Sequence, residues 1–311
     1  MSLNNQQAMV IDLPLSEYAR GYQQNEMIAR RLFPEVPVGQ SGGQVIEFGK
    51  DSFLLYNSRR APGSATKRVD FGYEGKPYAC ENHALEALVP DELGRDAKQV
   101  PGIELASEAV GVVMDANGLR LEADAAKLAT DASQYPAANK LALSGSTLWS
   151  NAASSPRDDV FAARAAIREA TGRYPNLMIL PPNGVMQLDQ HPSVRERLKY
   201  VGAQNATAQM LAHYFDVREV VEGNAVFAES ADAGMSDVWG NNIILAYVAT
   251  GGATRSMRSP SFGYTYTLRG HPYVKKPYYV NNRESWAYGV HYERTPVIAG
   301  AGAGFLIQNA F

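Results

Sequence analysis

The stretch from Gln44 to Pro90 constrains this chain more than any other, because it alternates too regularly for a loop and is too polar for a core. Apolar and polar residues alternate over Val45, Ile46, Glu47 and Phe48, and again over Val69, Asp70, Phe71, Gly72 and Tyr73, which is the period of half-buried strands. Two such runs can pair as a long hairpin. Its tip, residues 58–68, holds Arg59, Arg60, Lys67 and Arg68, a Pro62-Gly63 step and almost no large apolar side chain. A packed core cannot hold such a tip, so solvent or a neighbouring molecule must. No acidic residue lies between Asn57 and Val69 to pair with these cations. A projecting basic hairpin suits reaching another subunit, and Arg59, Arg60, Lys67 and Arg68 are its expected contacts. A solvated basic loop is the plainer alternative, since charge runs commonly serve solubility.

The remainder can bury a core, since 45% of the 311 residues are hydrophobic, enough for one large domain or two medium ones. A net charge of -3 argues against a protein whose main task is gripping nucleic acid, whose footprint is basic and clustered. The single cysteine, Cys80, excludes an internal disulfide framework and a multi-cysteine zinc site, and is expected to be a packed residue. The start of the chain shows no basic region followed by an apolar stretch, so no secretory signal is expected. Apolar runs such as residues 243–249 fall far short of the roughly 20 residues a bilayer helix needs.

Residues 1–38 read as an arm: an amphipathic stretch weakened by Pro14 and Gly21, then an extended crossing forced by Pro34 and Pro37. From Ile103 to Asp131 the pattern is helical, with Leu105, Ala109, Val112, Ala116, Leu119, Ala123 and Ala126 on one stripe, about 43 Å long if continuous. Asn117-Gly118 is a helix stop, which leaves two shorter helices open. Ser155-Pro156-Arg157-Asp158 has the parts of a helix start, and Gly172 ends that helix after Thr171. Leu177–Leu180 is a buried strand, helices follow Pro182 and Pro192, and Thr207–Phe215 is helical. Strands are expected over 217–227, 242–248, 262–268, 278–281, 286–292 and 305–308, with Trp286, Tyr288, Val290 and Tyr292 on one side.

Several of these pieces resemble a known family. Phe33-Pro34-Glu35-Val36-Pro37-Val38, the strand at Val45–Phe48, Ala61-Pro62-Gly63 followed by Lys67-Arg68-Val69, and the run from Tyr78 into Glu86-Ala87-Leu88-Val89-Pro90-Asp91-Glu92 resemble the N-terminal arm and extended loop of tailed-phage major capsid proteins with the HK97-type fold. The long helix resembles that family's spine helix, and residues 286–300 resemble its last strand. The resemblance implies an α+β, HK97-like capsid fold. In it, 1–38 is the N-terminal arm, 39–90 the extended loop hairpin, 91–157 with 276–311 the peripheral domain, and 158–275 the axial domain. It further implies a structural major capsid subunit, with no catalytic residues, metal or cofactor. Such a subunit self-assembles through hexamers and pentamers into an icosahedral shell around double-stranded phage or prophage DNA, without sequence-specific binding. The family often carries an N-terminal scaffolding extension and this chain departs from that, so either a separate scaffolding protein or the removal of a segment is expected. Portal and decoration proteins are expected beside it, and no membrane. The protein would be in the host cytoplasm before assembly and in the virion capsid after it. In this fold a neighbour's loop crosses the long helix, so Asp91, Glu92, Glu122 and Asp124 are the expected acidic partners of the tip. An encapsulin-like nanocompartment shell is the alternative with the same fold.

Motifs that would carry chemistry do not have their required surroundings. Gly39-Gln40-Ser41-Gly42-Gly43 has the spacing of a nucleophile elbow, the mark of a serine hydrolase, but prolines precede it and a strand pattern follows, where the elbow needs a strand before and a helix after. No two of His83, His191, His213, His271 and His291 have the four-residue spacing of a helical zinc pair. Gly300-Ala301-Gly302-Ala303-Gly304 is followed by a strand pattern and not by the helix a phosphate loop opens. Asp158 and Asp159 are expected to serve the helix start.

Overall fold

The computed structural model describes residues 11–22, 27–46, 59, 75–97, 104–198, 206–230, 232–250 and 261–311. In chain order the first elements are β1 (Ile11–Asp12), α1 (Leu13–Gly21), α2 (Ala29–Leu32), β2 (Glu35–Val38), β3 (Gly42–Ile46), β4 (Gly75–Ala79) and β5 (Glu81–Pro90). Next come α3 (Asp91–Ala97), α4 (Leu105–Thr130), β6 (Lys140–Ala142), α5 (Pro156–Thr171), β7 (Leu177–Leu180), α6 (Gly184–Gln190), α7 (Pro192–Leu198) and α8 (Ala208–Phe215). The last are β8 (Glu219–Glu222), β9 (Val226–Phe227), β10 (Ser236–Asp237), β11 (Asn242–Ala246), β12 (Gly263–Leu268), β13 (Tyr273–Lys275), β14 (Tyr278–Val280), β15 (Ser285–Ile298) and β16 (Gly304–Gln308).

Two sheets carry the fold. One has seven strands, ordered β1-β13-β15-β12-β2, with β5 and β14 also paired to β15. The 14-residue β15 is its centre, and β5 runs antiparallel to it from Ser285↔Pro90 to Arg294↔Glu81. Tyr288 and Val290 share one face by the two-residue strand period and pack with Val110, Val113 and Met114 of α4 and Ala19 of α1. Tyr292 is buried on the same face, while Trp286, at the start of the strand, is 43% exposed. Pro14, expected to weaken a helix, stands in the first turn of α1, where a missing N–H costs nothing, and Asp12 caps that helix by accepting from Leu15 N at 3.1 Å.

The other sheet has five strands, ordered β6-β16-β11-β7-β8, and is covered on both faces. Met178, Leu180, Ile243, Leu245 and Ile307 face Val160, Ala163 and Ile167 of α5 and Leu211 and Phe215 of α8. Their neighbours Leu177, Ile179, Ile244, Ala246 and Leu306 face Leu121, Ala125 and Ala129 of α4. Covering on both sides explains why these strands read as continuous apolar runs. The N-cap position of α5 is Ser155, but its side chain makes no capping bond; Asp159 instead accepts the Trp149 indole N–H at 2.9 Å.

Several expectations are corrected. α4 is one helix of 26 residues, about 39 Å, and passes through Asn117-Gly118 unbroken. The predicted stripe holds at Ala109 and Ala126, which are buried, but not between them: Val112 is 64% exposed and Ala116 is exposed, whereas Val110, Val113, Met114, Asn117, Leu121 and Ala125 are buried. The strand expected over 217–227 is split into β8 and β9 at Gly223, against which the buried Trp239 lies; a Cβ there would stand 2.5 Å from the ring. Sheet membership crosses the expected division of the chain, since β12 and β13 pair with β15 while β6 and β16 join the sheet of β7 and β11. The hairpin pairs Gly42–Ile46 with Gly75–Ala79, and the run Val69–Tyr73 lies outside the described residues.

Because β16 sits between β6 and β11, the end of the chain is part of the core. A chain truncated after Ala303 is expected to lose its sharp thermal transition by circular dichroism; an unchanged transition at the parent temperature would refute this placement.

Candidate functional site

The arm is joined to the body by a buried carboxylate. Glu122 of α4 is fully buried, and a carboxylate out of water requires donors. It receives three: Ile28 N–H at 3.0 Å, Ala29 N–H at 2.8 Å and the Trp239 indole N–H at 2.6 Å. The short helix α2 has no side-chain cap of its own, so Glu122 satisfies its first amides from another helix. Burial raises the Glu122 carboxyl above the ordinary carboxylate range, while the Ala29, Trp239 and Ile28 donors pull it back.

The next arm residues wedge between the sheets. Phe33 is fully buried, lies 5.5 Å from the Phe262 ring, and gives its carbonyl to the Thr265 hydroxyl at 3.0 Å. Gly263 permits this approach, since a Cβ there would stand 2.4 Å from the Phe33 ring. β2 then pairs in parallel with β12, and Pro37 is tolerated because β2 is an edge strand. Glu35 pairs with Arg30 at 3.2 Å and accepts from the Tyr292 hydroxyl, whose pKa is pushed up to about 12, first by burial and then by the Glu35 charge. Arg294, 1% exposed, donates to the Asn117 carbonyl and lies 4.3 Å over the Tyr292 ring. This contact falls at the Asn-Gly step of α4.

The β3–β4 hairpin is also packed. Val45 is buried with Tyr264 and Ala299, and Tyr78 stacks on Tyr266 at 4.4 Å. Ser41 is exposed; its carbonyl accepts from Cys80 N–H at 2.6 Å, and strand β3 follows it where an elbow needs a helix. Burial, and then the Glu293 charge, push the Cys80 thiol up to about 11, away from thiolate chemistry.

Of the expected tip contacts, Arg59 is exposed, and Arg60, Lys67 and Arg68 lie outside the described residues. Among the expected acidic partners, Glu122 is corrected: it is buried inside its own subunit and unavailable to a neighbour. Asp124 holds Arg120 at 3.0 Å one helical turn away. Asp91 accepts from the Tyr279 hydroxyl at 2.7 Å, and Glu92 is exposed. Among the described residues, no group of three or more His, Cys, Asp or Glu side chains is arranged to hold a metal ion, and no helix is long and apolar enough to cross a membrane.

A major capsid protein of Burkholderia phage BcepMu is 33% identical to this chain over 309 residues, covering 96% of each. The chain belongs to the tailed-phage major capsid protein family. A crystal structure of a phage-related protein from Bordetella bronchiseptica RB50 superposes with a TM-score of 0.85 at 44% identity, covering 98% of this chain and 99% of that one. The holo-SrpI encapsulin complex from Synechococcus elongatus PCC 7942 matches with a TM-score of 0.55 at 12% identity, covering 99% and 96%, which is a likeness of fold alone. No family model matches the chain. The mixed α/β capsid-type fold and the family expected from the sequence both hold, and membership in a capsid family points to a structural role and not to catalysis. Sequence reasoning missed Trp239 and Arg294 and misplaced Glu122. The available signal was a glutamate beside Leu121 and Ala125 on an alanine-rich helix, where a solvated charge is out of place.

Glu122→Ala strands three donors and is expected to cost at least about 3 kcal/mol in urea unfolding. Glu122→Gln, which turns an amide N–H toward Ala29 N–H, should cost less. The folded carboxyl holds its proton to higher pH than the unfolded one. The parent's advantage over Glu122→Gln should therefore grow as pH falls from neutral and be complete below the ordinary glutamate range; an advantage that shrinks on acidification would contradict the assignment.

Proposed function

We propose that many copies of this chain, arranged as hexamers and pentamers, close an icosahedral shell around a phage or prophage genome. The observation that carries this reading is the relationship to a phage major capsid protein along 96% of both chains. Encapsulin-like cargo storage is the weaker reading, because that likeness is at 12% identity. In HK97-like terms, 1–38 is the arm and 39–90 the extended loop. The peripheral domain is built on the seven-stranded sheet with α4 as its spine helix, and the axial domain on the five-stranded sheet. The enclosed double-stranded DNA is held without sequence-specific contacts, in keeping with a net charge of -3. A separate scaffolding protein, a portal and decoration proteins complete the particle, and subunits wait in the host cytoplasm before assembly.

Within that shell, Arg59, Arg60, Lys67 and Arg68 act between subunits. The support is their clustering in a segment with no acid of its own, and the packed loop base that anchors it. Exposed ion pairs contribute only about 0–1 kcal/mol each, but a shell repeats them many times. Arg59→Glu with Arg60→Glu should leave the Tm of the unassembled chain nearly unchanged while slowing shell formation in light scattering and negative-stain microscopy. Parent assembly should weaken with added salt. Shells formed by the reversed chain at the parent's rate and salt dependence would remove the tip from the assembly contacts.

A further inference from the structure

Where the arm, α4 and β15 meet, the subunit encloses a small polar cavity. The arm contributes Ala29 and Arg30 to its walls, α4 contributes Leu121 and Glu122, and β15 contributes Tyr292 and Arg294. The space measures about 30 Å³, where roughly 10–15 Å³ seats one water molecule.

Arg294 sets the chemistry of this space. A guanidinium carries five N–H groups in a fixed fork, and each one taken out of water needs an acceptor. At 1% exposure, Arg294 has no bulk solvent to supply them. Its Nη2 donates to the Asn117 carbonyl, and the group lies 4.3 Å from the centre of the Tyr292 ring, but Nη1 has no hydrogen-bond partner among the described residues. Asn117 Nδ2, on the residue whose carbonyl Arg294 holds, is a second buried donor without one. Burial draws the Arg294 pKa below its ordinary value, as expected of a charge short of solvation.

The other walls decide what kind of acceptor fits. An anion is disfavoured, because the Glu122 carboxylate lines the same space, while Glu35 already pairs with Arg30 and accepts from the Tyr292 hydroxyl. An apolar occupant would leave Nη1 unmet. Water serves both needs, since it accepts from one group and donates to others. The walls offer acceptors for its hydrogens in the Glu122 carboxylate and in the hydroxyl oxygens of Tyr22 and Tyr292, whose own protons go to Asp115 and Glu35.

We propose that this cavity is a structural water site, in which one or two buried waters accept from Arg294 Nη1 and tie the guanidinium of β15 to the arm and α4. Arg294 then keeps part of its hydration inside the fold, in place of the direct carboxylate partner that a buried arginine ordinarily takes.

High-resolution crystals of the full chain test this, one set native and one soaked in bromide. The native crystals should show ordered density about 2.7–3.2 Å from Arg294 Nη1. The soaked ones should show no anomalous peak there. Arg294→Met keeps most of the side-chain bulk and removes the donors, so its crystals should lose that density while the Glu122 contacts with Ile28, Ala29 and Trp239 remain. If Arg294→Met does not fold, the parent crystals decide alone. A bromide peak in the cavity would make it an anion site and overturn the proposal. A cavity without ordered density, or Nη1 paired with a protein oxygen, would overturn it equally, as would density that persists unchanged in Arg294→Met.

Discussion

The three hydrogen bonds to Glu122 are the constraint on which the arm, the long helix and the five-stranded sheet mutually depend. A lone buried carboxylate would be prohibitive, but here Ile28 and Ala29 bring two amides and Trp239 brings an indole, so the charge is met by donors from two distant parts of the chain. The cost of burying the charge is offset only when all three elements are in place. That makes the arrangement specific: the arm cannot slide along α4 without stranding either the carboxylate or the first turn of α2. Arg294 plays a related part on the other side of the arm, with its guanidinium on the Asn117 carbonyl and over the Tyr292 ring while Tyr292 holds Glu35 of β2.

α4 is the member shared by both cores. Its first half packs Val110, Val113 and Met114 on β15 and α1, and its second half packs Leu121, Ala125 and Ala129 under the five-stranded sheet. The Asn-Gly step lies where one core gives way to the other. Packing on both sides outweighs a local preference to stop, which amounts to about 1 kcal/mol for a glycine in a helix interior. A subunit built in this way ties the packing of both sheets to one continuous helix.

The surface follows a different logic from the interior. Inside, Glu122 and Arg294 meet partners from distant parts of the chain; outside, residues 52–69 carry Arg59, Arg60, Lys67 and Arg68 and no acidic residue. Weak, salt-sensitive contacts suit assembly because subunits can detach and re-dock before closure, and repetition supplies the final stability.

Local pattern by itself determined most elements. Pro156 and Gly172 bracket α5 as read, Leu177–Leu180 is a buried strand, and β12, β15 and β16 fall on their alternating runs, because capping residues and strand period act over a few neighbours. The order and texture of the arm, loop and long helix also pointed to the capsid family. Only the tertiary structure decided which face of α4 is buried, that the Asn117-Gly118 step does not break it, and which strands share a sheet. It alone showed that Glu122 is an internal clamp and not a partner for a neighbour. Each of these depends on a residue far away in the chain: Arg294 on Asn117, Trp239 on Glu122 and Gly223, Phe33 on Gly263. A sequence window contains one member of such a pair and never the other, so the energy that decides the outcome appears only when the chain has folded.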